Sequence, residues 1–434
     1  MKIAFIRPSM AGKQSSDALK PLAFSVLFSL TPKTVDVEFY DERVEKLPPA
    51  FDNDAICFSV ETFTAKRAYK LAAKYKSQNA AVKIIMGGFH PTACPEEAGE
   101  FADSVVVGDA EPVWGQVIND LANGALKRRY VSSQSFMLPF SELGKSIFNG
   151  KKYANIGIVQ WKRGCVFNCN FCSVHSFYKA GVIERDIDDV IHEIETMKEK
   201  LIFIADDNLL HDRVKLKEFL IKLSPLKKKW ACQISINVAN DEEVLKLMAK
   251  SGCIVMLIGF ESLNVGNLYE IGKKQNIANN DYADAINKIY SNGIMIYATF
   301  IFGYPHDTLE SFDEVYRFSM KHKFLVANFN PLMAMPATDL YAGLRNNNKL
   351  TDEKWWLSDD YCYGDAMHVP ENYSGAQLAE NCKRLRYKFY SLPKILARMT
   401  NPVNLRHFHL FLLLNIVSSV EIRKKQQIKL GGEV

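Results

Sequence analysis

The chain has no apolar run as long as the roughly 18 residues a membrane span needs, no internal repeat and no low-complexity tract. Its charge is small: 54 Lys and Arg against 49 Asp and Glu leave +5 spread over 434 residues, too little and too dispersed for a nucleic-acid partner. The opening "MKIAFIRPSM" lacks a signal-peptide pattern and is expected to be a buried strand. No G-x-G-x-x-G follows that strand, which weighs against a plain dinucleotide site. The nine cysteines sit in apolar runs, as Cys57 and Cys253 do, or in one tight cluster. That excludes a secreted disulfide framework and implies a reducing, cytoplasmic setting.

What is present is ordinary for a globular chain, with 48% hydrophobic and 24% charged residues, enough for two or three domains. Residues 1–130 alternate short apolar runs ("KIAFIRP", "VDVEFYDE", "DAICFSVE", "VKIIMGG", "DSVVVGD") with helical patterns. Apolar strands separated by helices predict a parallel sheet covered on both faces, an α/β Rossmann-like doubly wound domain. Its ligand is expected at the carboxyl ends of the strands, where the glycines lie. A polar linker, 131–154, follows. Over 155–345 the alternation restarts with six strand–helix units, predicting an open, partial (β/α)6 barrel. Residues 346–434 read as a helical tail rich in aromatic and basic residues.

The chemistry concentrates in "QWKRGCVFNCNFCSVHSF", where Cys165, Cys169 and Cys172 stand in a C-x3-C-x2-C spacing after the first barrel strand. Structural zinc takes four protein ligands, commonly as two knuckles, and no second knuckle lies nearby. A 4Fe–4S cubane held by three thiolates keeps one iron open for a ligand. Zinc and unligated thiols are the alternatives. Gly164, Asn168 and Asn170 suit a loop that bends around a cluster.

This motif after the first strand of a partial barrel, with Phe171 before the last cysteine, resembles the radical S-adenosylmethionine (SAM) superfamily. The resemblance implies that SAM chelates the open iron and that one electron cleaves it. The products are methionine and a 5′-deoxyadenosyl radical, which abstracts hydrogen from an unactivated carbon. Phe171 would then help to seat the adenine. Strand ends supply further candidates: Asp206, Asp207 and Asn208 for the SAM ammonium group, Ser235 and Asn237 for ribose or carboxylate, and Glu261 after a very apolar strand. A helix cap is the alternative for the Asp206–Asn208 turn. Gly303 and Pro305 resemble the family's turn near adenine.

A Rossmann-like domain ahead of such a barrel resembles the cobalamin-binding branch, whose members include class B type radical SAM methyltransferases. The matching residues are Ser59, Thr62, Gly87, Gly88, His90 and Gly108, the last opening a glycine–acid–x–acid turn with Asp109 and Glu111. The axial D-x-H-x-x-G motif of mutase-type domains is missing, so cobalamin is expected to bind without a protein histidine ligand.

Further cysteines are too few and scattered for a second cluster. The resemblance therefore implies one 4Fe–4S cluster, SAM and cobalamin, and methyl transfer from methylcobalamin to carbon. The alternatives are a rearrangement, cyclisation or dehydrogenation with or without cobalamin, and a non-enzymatic iron–sulfur or zinc protein. The expected partners are a small-molecule or lipid substrate and a flavodoxin- or ferredoxin-like electron donor. "RHFHLFLLLNIVSSVEIRKKQQIK" joins an apolar stretch to a basic end and has two readings: a helix on a membrane surface, or, favoured here, one that covers the barrel's open side. "EKWWLSDDYCYGDAMHV" is a lid or a packed loop.

Overall fold

The computed structural model describes residues 1–140, 143–179, 181–277 and 281–433, so positions 141 and 142 of the linker lie outside it. The first sheet holds β1 (Lys2–Arg7), β2 (Asp36–Asp41), β3 (Ala55–Ser59), β4 (Lys83–Gly87), β5 (Ser104–Val107) and β6 (Arg129–Val131). Their order is β2-β1-β3-β4-β5-β6, and all pairs are parallel. Strand alternation divides the core. Ala4, Ile6, Ile56 and Phe58 face one layer, and Ile3, Phe5, Ala55 and Cys57 face the other. The sixth strand was not legible as one, because "RYV" is three residues long and only Tyr130 is buried.

The second sheet is built from β7 (Gly157–Val159), then, beyond a small antiparallel pair β8 (Lys162–Arg163) and β9 (Ile183–Glu184), from β10 (Leu201–Ile204), β11 (Lys229–Gln233), β12 (Cys253–Glu261), β13 (Met295–Phe302) and β14 (Val326–Pro331). Its order, β14-β13-β12-β11-β10-β7, is that of an open six-stranded parallel barrel. Asp186, Asp212, Asp241 and Asp281 cap four of the following helices by accepting main-chain N–H bonds. The helix cap weighed as the alternative role of the Asp206–Asn208 turn is supplied by Asp212.

An open barrel leaves β14 as a bare edge, and the tail covers it. Helix Gly375–Phe389 packs along β14, and the Tyr390 hydroxyl donates to the Ala327 carbonyl, 3.2 Å away. Arg398, fully buried, donates to the Phe324 and Leu325 carbonyls. The last helix, Phe408–Lys425, buries Phe411 and Asn415 yet exposes Leu413, Ile416 and Val420. No described helix is long and apolar enough to cross a membrane.

The aromatic loop is packed. Trp355 and Trp356 are sealed against the outer layer of the first domain. There Glu97 accepts from the Trp356 indole at 2.9 Å and lies 3.1 Å from both the Tyr69 hydroxyl and His90 Nε2. The tail thus leaves the barrel, crosses the first domain and returns. Burial alone would raise the Glu97 carboxyl, but its bonds from His90, Trp356 and Lys354 outweigh that and bring it down to about 2. A depressed carboxylate stabilises the fold above its unfolded value and loses that contribution as pH falls through the folded value. Glu97→Gln is therefore expected to cost about 2–3 kcal/mol at neutral pH. In denaturant titrations the gap to the parent should close between the unfolded value of 4.5 and about 2. A gap that is constant with pH would contradict this.

Candidate functional site

The cysteine loop leaves the carboxyl end of β7 and is closed at its base by β8 and β9, with Lys162 opposite Glu184 and Arg163 opposite Ile183. Gly164 then turns with φ +90°, and a Cβ there would overlap the Gly181 carbonyl oxygen. Only glycine fits, for backbone and for space. Asn170 pins the far side: its amide N–H reaches the Ile271 carbonyl at 3.2 Å, and its side chain donates to the Glu270 carbonyl at 2.9 Å. Cys172 immediately precedes the short helix Ser173–Tyr178, and its side chain makes no cap bond.

All three thiols are free and at least partly buried. Burial raises each, Cys169 to about 11, so cluster loading releases protons. Among the described residues, no group of three or more His, Cys, Asp or Glu side chains is gathered closely enough to hold a single metal ion. A cubane takes one thiolate per iron. Phe171 packs with Leu268, Ile271, Tyr304 and Leu332, a small apolar wall at this end of the barrel.

The neighbouring strand ends divide into side chains that shape the site and side chains that face it. Asp206 is a shaping residue: one oxygen accepts from the Trp161 and Lys162 amides at 2.8 and 3.1 Å, fixing the start of the loop, and burial lifts its carboxyl to about 7. Asn208 is likewise committed, its oxygen accepting from the Ser235 and Leu210 amides. Asp207 faces the open space and holds the Gly164 amide at 2.8 Å. Ser235 begins a 3-10 turn, Ile236–Asn240, and the buried Asn237 side-chain oxygen has no partner.

Glu261 sits at a bulge in β12 with φ +62°, a left-handed backbone that a non-glycine residue holds only under constraint. Lys273 supplies that constraint by pairing with its carboxylate, and Asn276 donates to the Gly259 and Phe260 carbonyls. The absence of a side chain at Gly259 makes room for the pair. Beyond β13, Gly303 (φ +113°) accepts from His368, and Asp307 gathers the Gly303 and Tyr304 amides.

A cavity of about 680 Å³ lies between the carboxyl ends of the two sheets. Ser59, Gly87, Gly88 and Gly108 line it from the first domain; Gln160, Arg163, Phe203 and Asp207 line it from the barrel. The domains are joined at its rim. Arg163 pairs with Glu111 and lies 3.8 Å from Asp109, whose other oxygen accepts from the Tyr178 hydroxyl at 3.1 Å. Phe89 meets Phe177 with ring centroids 4.9 Å apart. The sequence singled out Asp109 and Glu111 but not their partners. The cation two residues before Cys165 was the available signal.

Two expected contacts are corrected. His90 is fully buried between Tyr69, Glu97 and Trp356 and does not line the cavity, because it buttresses the turn after β4 from behind. Thr62 is buried in the turn Thr62–Thr64 and is also outside the lining. Among the described residues, no histidine lines the cavity.

Residues 159–319 match the radical SAM superfamily and residues 26–117 the B12 binding domain. The bacteriochlorophyllide d C-12(1)-methyltransferase of Chlorobaculum tepidum is 30% identical over 409 residues, spanning 91% of this chain and 88% of that one. This chain belongs to the cobalamin-binding branch of the radical SAM superfamily. The C-8(2)-methyltransferase of the same organism is 28% identical, spanning 93% of this chain and 92% of that one. Among solved structures, the cobalamin-dependent SAM radical enzyme OxsB aligns with a TM-score of 0.63 over 97% of this chain and 72% of its own, at 15% identity. The family's cofactors are the 4Fe–4S cluster, SAM and cobalamin. The donor set agrees with them: three free thiols stand in one loop, and the glycine-bearing strand ends line the facing wall of the cavity.

Gly164→Ala is expected to abolish iron loading during anaerobic reconstitution while far-ultraviolet circular dichroism stays at the parent's value. Full iron content in that variant would contradict the role given to the turn.

Proposed function

We propose that this chain is a cobalamin-dependent radical SAM C-methyltransferase. The observation that carries the reading is the shared cavity, with the cysteine loop and barrel strand ends on one wall and the glycine turns of the first domain on the other. Bound there, the cluster with SAM supplies hydrogen-atom abstraction, and cobalamin supplies the methyl group. Radical transfer to carbon needs the reacting centres held within near contact, and fixed walls contribute that positioning.

The chain's own residues then divide the work. Cys165, Cys169 and Cys172 hold the cluster, and Phe171, backed by Tyr304, forms the apolar wall for adenine. Glu261, held by Lys273, and Asp207 offer acceptors to SAM. Ser235 and Asn237 stand at the next strand end for ribose. Ser59, Gly87, Gly88 and Gly108 would hold the corrin, since glycine and serine let a large ligand approach the backbone. Asp206 and Asn208 position the loop and turn without facing the ligands. The partners are a small-molecule substrate and a one-electron donor of flavodoxin or ferredoxin type.

The reconstituted protein, supplied with reductant and SAM carrying a labelled methyl group, is expected to release 5′-deoxyadenosine and to place the label on its cobalamin. Replacing any one of the three cysteines by alanine should remove 5′-deoxyadenosine formation to background. Cleavage of SAM with no label on the corrin would favour a rearrangement or cyclisation. The absence of cleavage in the intact protein would overturn the reading.

A further inference from the structure

A second cavity, of about 500 Å³, adjoins the first. The two share Arg7, Asp17, Arg43 and Glu61, and the Arg7–Glu61 pair, at 2.7 Å, stands where they meet. The outer cavity is bounded by the loop after β1, by Asn330 and Pro331 at the end of β14, and by the returning tail. Its apolar surface comes from Met10, Phe63, Met333, Tyr361, Tyr363 and Ile428.

The charges around it are unbalanced. Six basic side chains reach the lining against three acidic ones. The acids are already satisfied. Glu61 is paired with Arg7, Asp17 with Lys425, and Glu421 with the hydroxyls of Ser15 and Ser16 and with Lys424 and Lys425.

Arg386 differs from the other bases. It is 6% exposed, its Nε donates to the Cys382 carbonyl at 3.2 Å, and its buried Nη2 has no hydrogen-bond partner. No described carboxylate lies within ion-pair distance of it. Arg7 Nε, on the same lining, is also buried without a partner. A guanidinium taken out of water without an anion is strongly disfavoured, and the fork of N–H groups is shaped for an oxyanion. Gly364, with φ +99°, keeps the approach clear, since a Cβ there would stand 3.5 Å from Nη2.

We propose that the outer cavity holds the substrate of the methyl transfer and that this substrate is an apolar-bodied oxyanion whose charged group binds Arg386. The proposal rests on the function inferred above, because it takes the inner cavity for the cofactors and leaves the outer one for the acceptor. Arg7 and Glu61 mark the boundary across which the acceptor carbon reaches the reacting centres. Arg386 is a binding residue and takes no part in the chemistry.

The test uses reconstituted holoenzyme and two probes of one shape, the anion 1-anilinonaphthalene-8-sulfonate and the neutral N-phenyl-1-naphthylamine, in equilibrium dialysis. Saturable binding of the sulfonate is expected. Arg386→Gln should weaken it roughly tenfold or more, the range for losing a hydrogen bond to a charged group. Arg386→Lys, which keeps the charge without the fork, should restore only part of the loss, and the neutral probe should change less than twofold in either variant. Unchanged sulfonate affinity in Arg386→Gln, an equal loss for both probes, or no saturable sulfonate binding would each overturn the anion site. Corrin and iron–sulfur absorbance read in the same parent samples separates the two readings: if those bands are missing, the function proposal fails. If they are present and the sulfonate result is negative, only the anion site fails.

Discussion

The arrangement depends on one half-buried cation. Arg163 stands between the strand that launches the cysteine loop and the acidic turn that closes the first domain, and it pairs with Glu111 while facing Asp109. Burial alone would make its charge less favourable, but the two carboxylates offset that and raise its proton affinity. Removing one partner of such a pair typically costs about 3–5 kcal/mol, because the other is left charged and dry. The ion pair need not add net stability to matter. It fixes which part of one domain faces which part of the other, and so sets the gap between two cofactor walls.

The tail completes that constraint from outside. An open parallel barrel has a free edge, and a doubly wound domain has an apolar outer layer. One segment covers both, with helix Gly375–Phe389 along β14 and Trp355 and Trp356 on the first domain. Glu97 collects bonds from His90, Tyr69 and Trp356, so the turn after β4 is braced on the side away from the cavity. The same tail supplies Arg386 and the tyrosines of the outer cavity. Fold closure and, on the proposal made for Arg386, acceptor binding are thus carried by one stretch of chain. Exposed Leu413 and Ile416 show that the last helix is only half used in this closure.

Much of this was legible in the sequence. Fully apolar strands separated by amphipathic helices announced two parallel sheets, since the pattern reports burial directly. The C-x3-C-x2-C spacing announced the cluster because a short loop is a local object. What was not legible was long-range pairing. His90 looked like a ligand residue because it follows two glycines, yet its partners are Glu97 and a tryptophan 266 positions later in the chain. Asp206 and Asn208 looked like open acceptors, but the Trp161 and Lys162 amides occupy one Asp206 oxygen and the Ser235 and Leu210 amides the Asn208 oxygen, while the other Asp206 oxygen is buried without a partner. Arg163 carried no pattern of its own, and its role follows from where the two sheets meet.

The most direct test of the central claim is the iron and cobalt content of anaerobically reconstituted protein after incubation with hydroxocobalamin and desalting. The account predicts about four iron atoms and one cobalt per chain, held together by one polypeptide with two facing walls. Iron without cobalt would contradict the corrin wall, and zinc in place of iron would contradict the cluster.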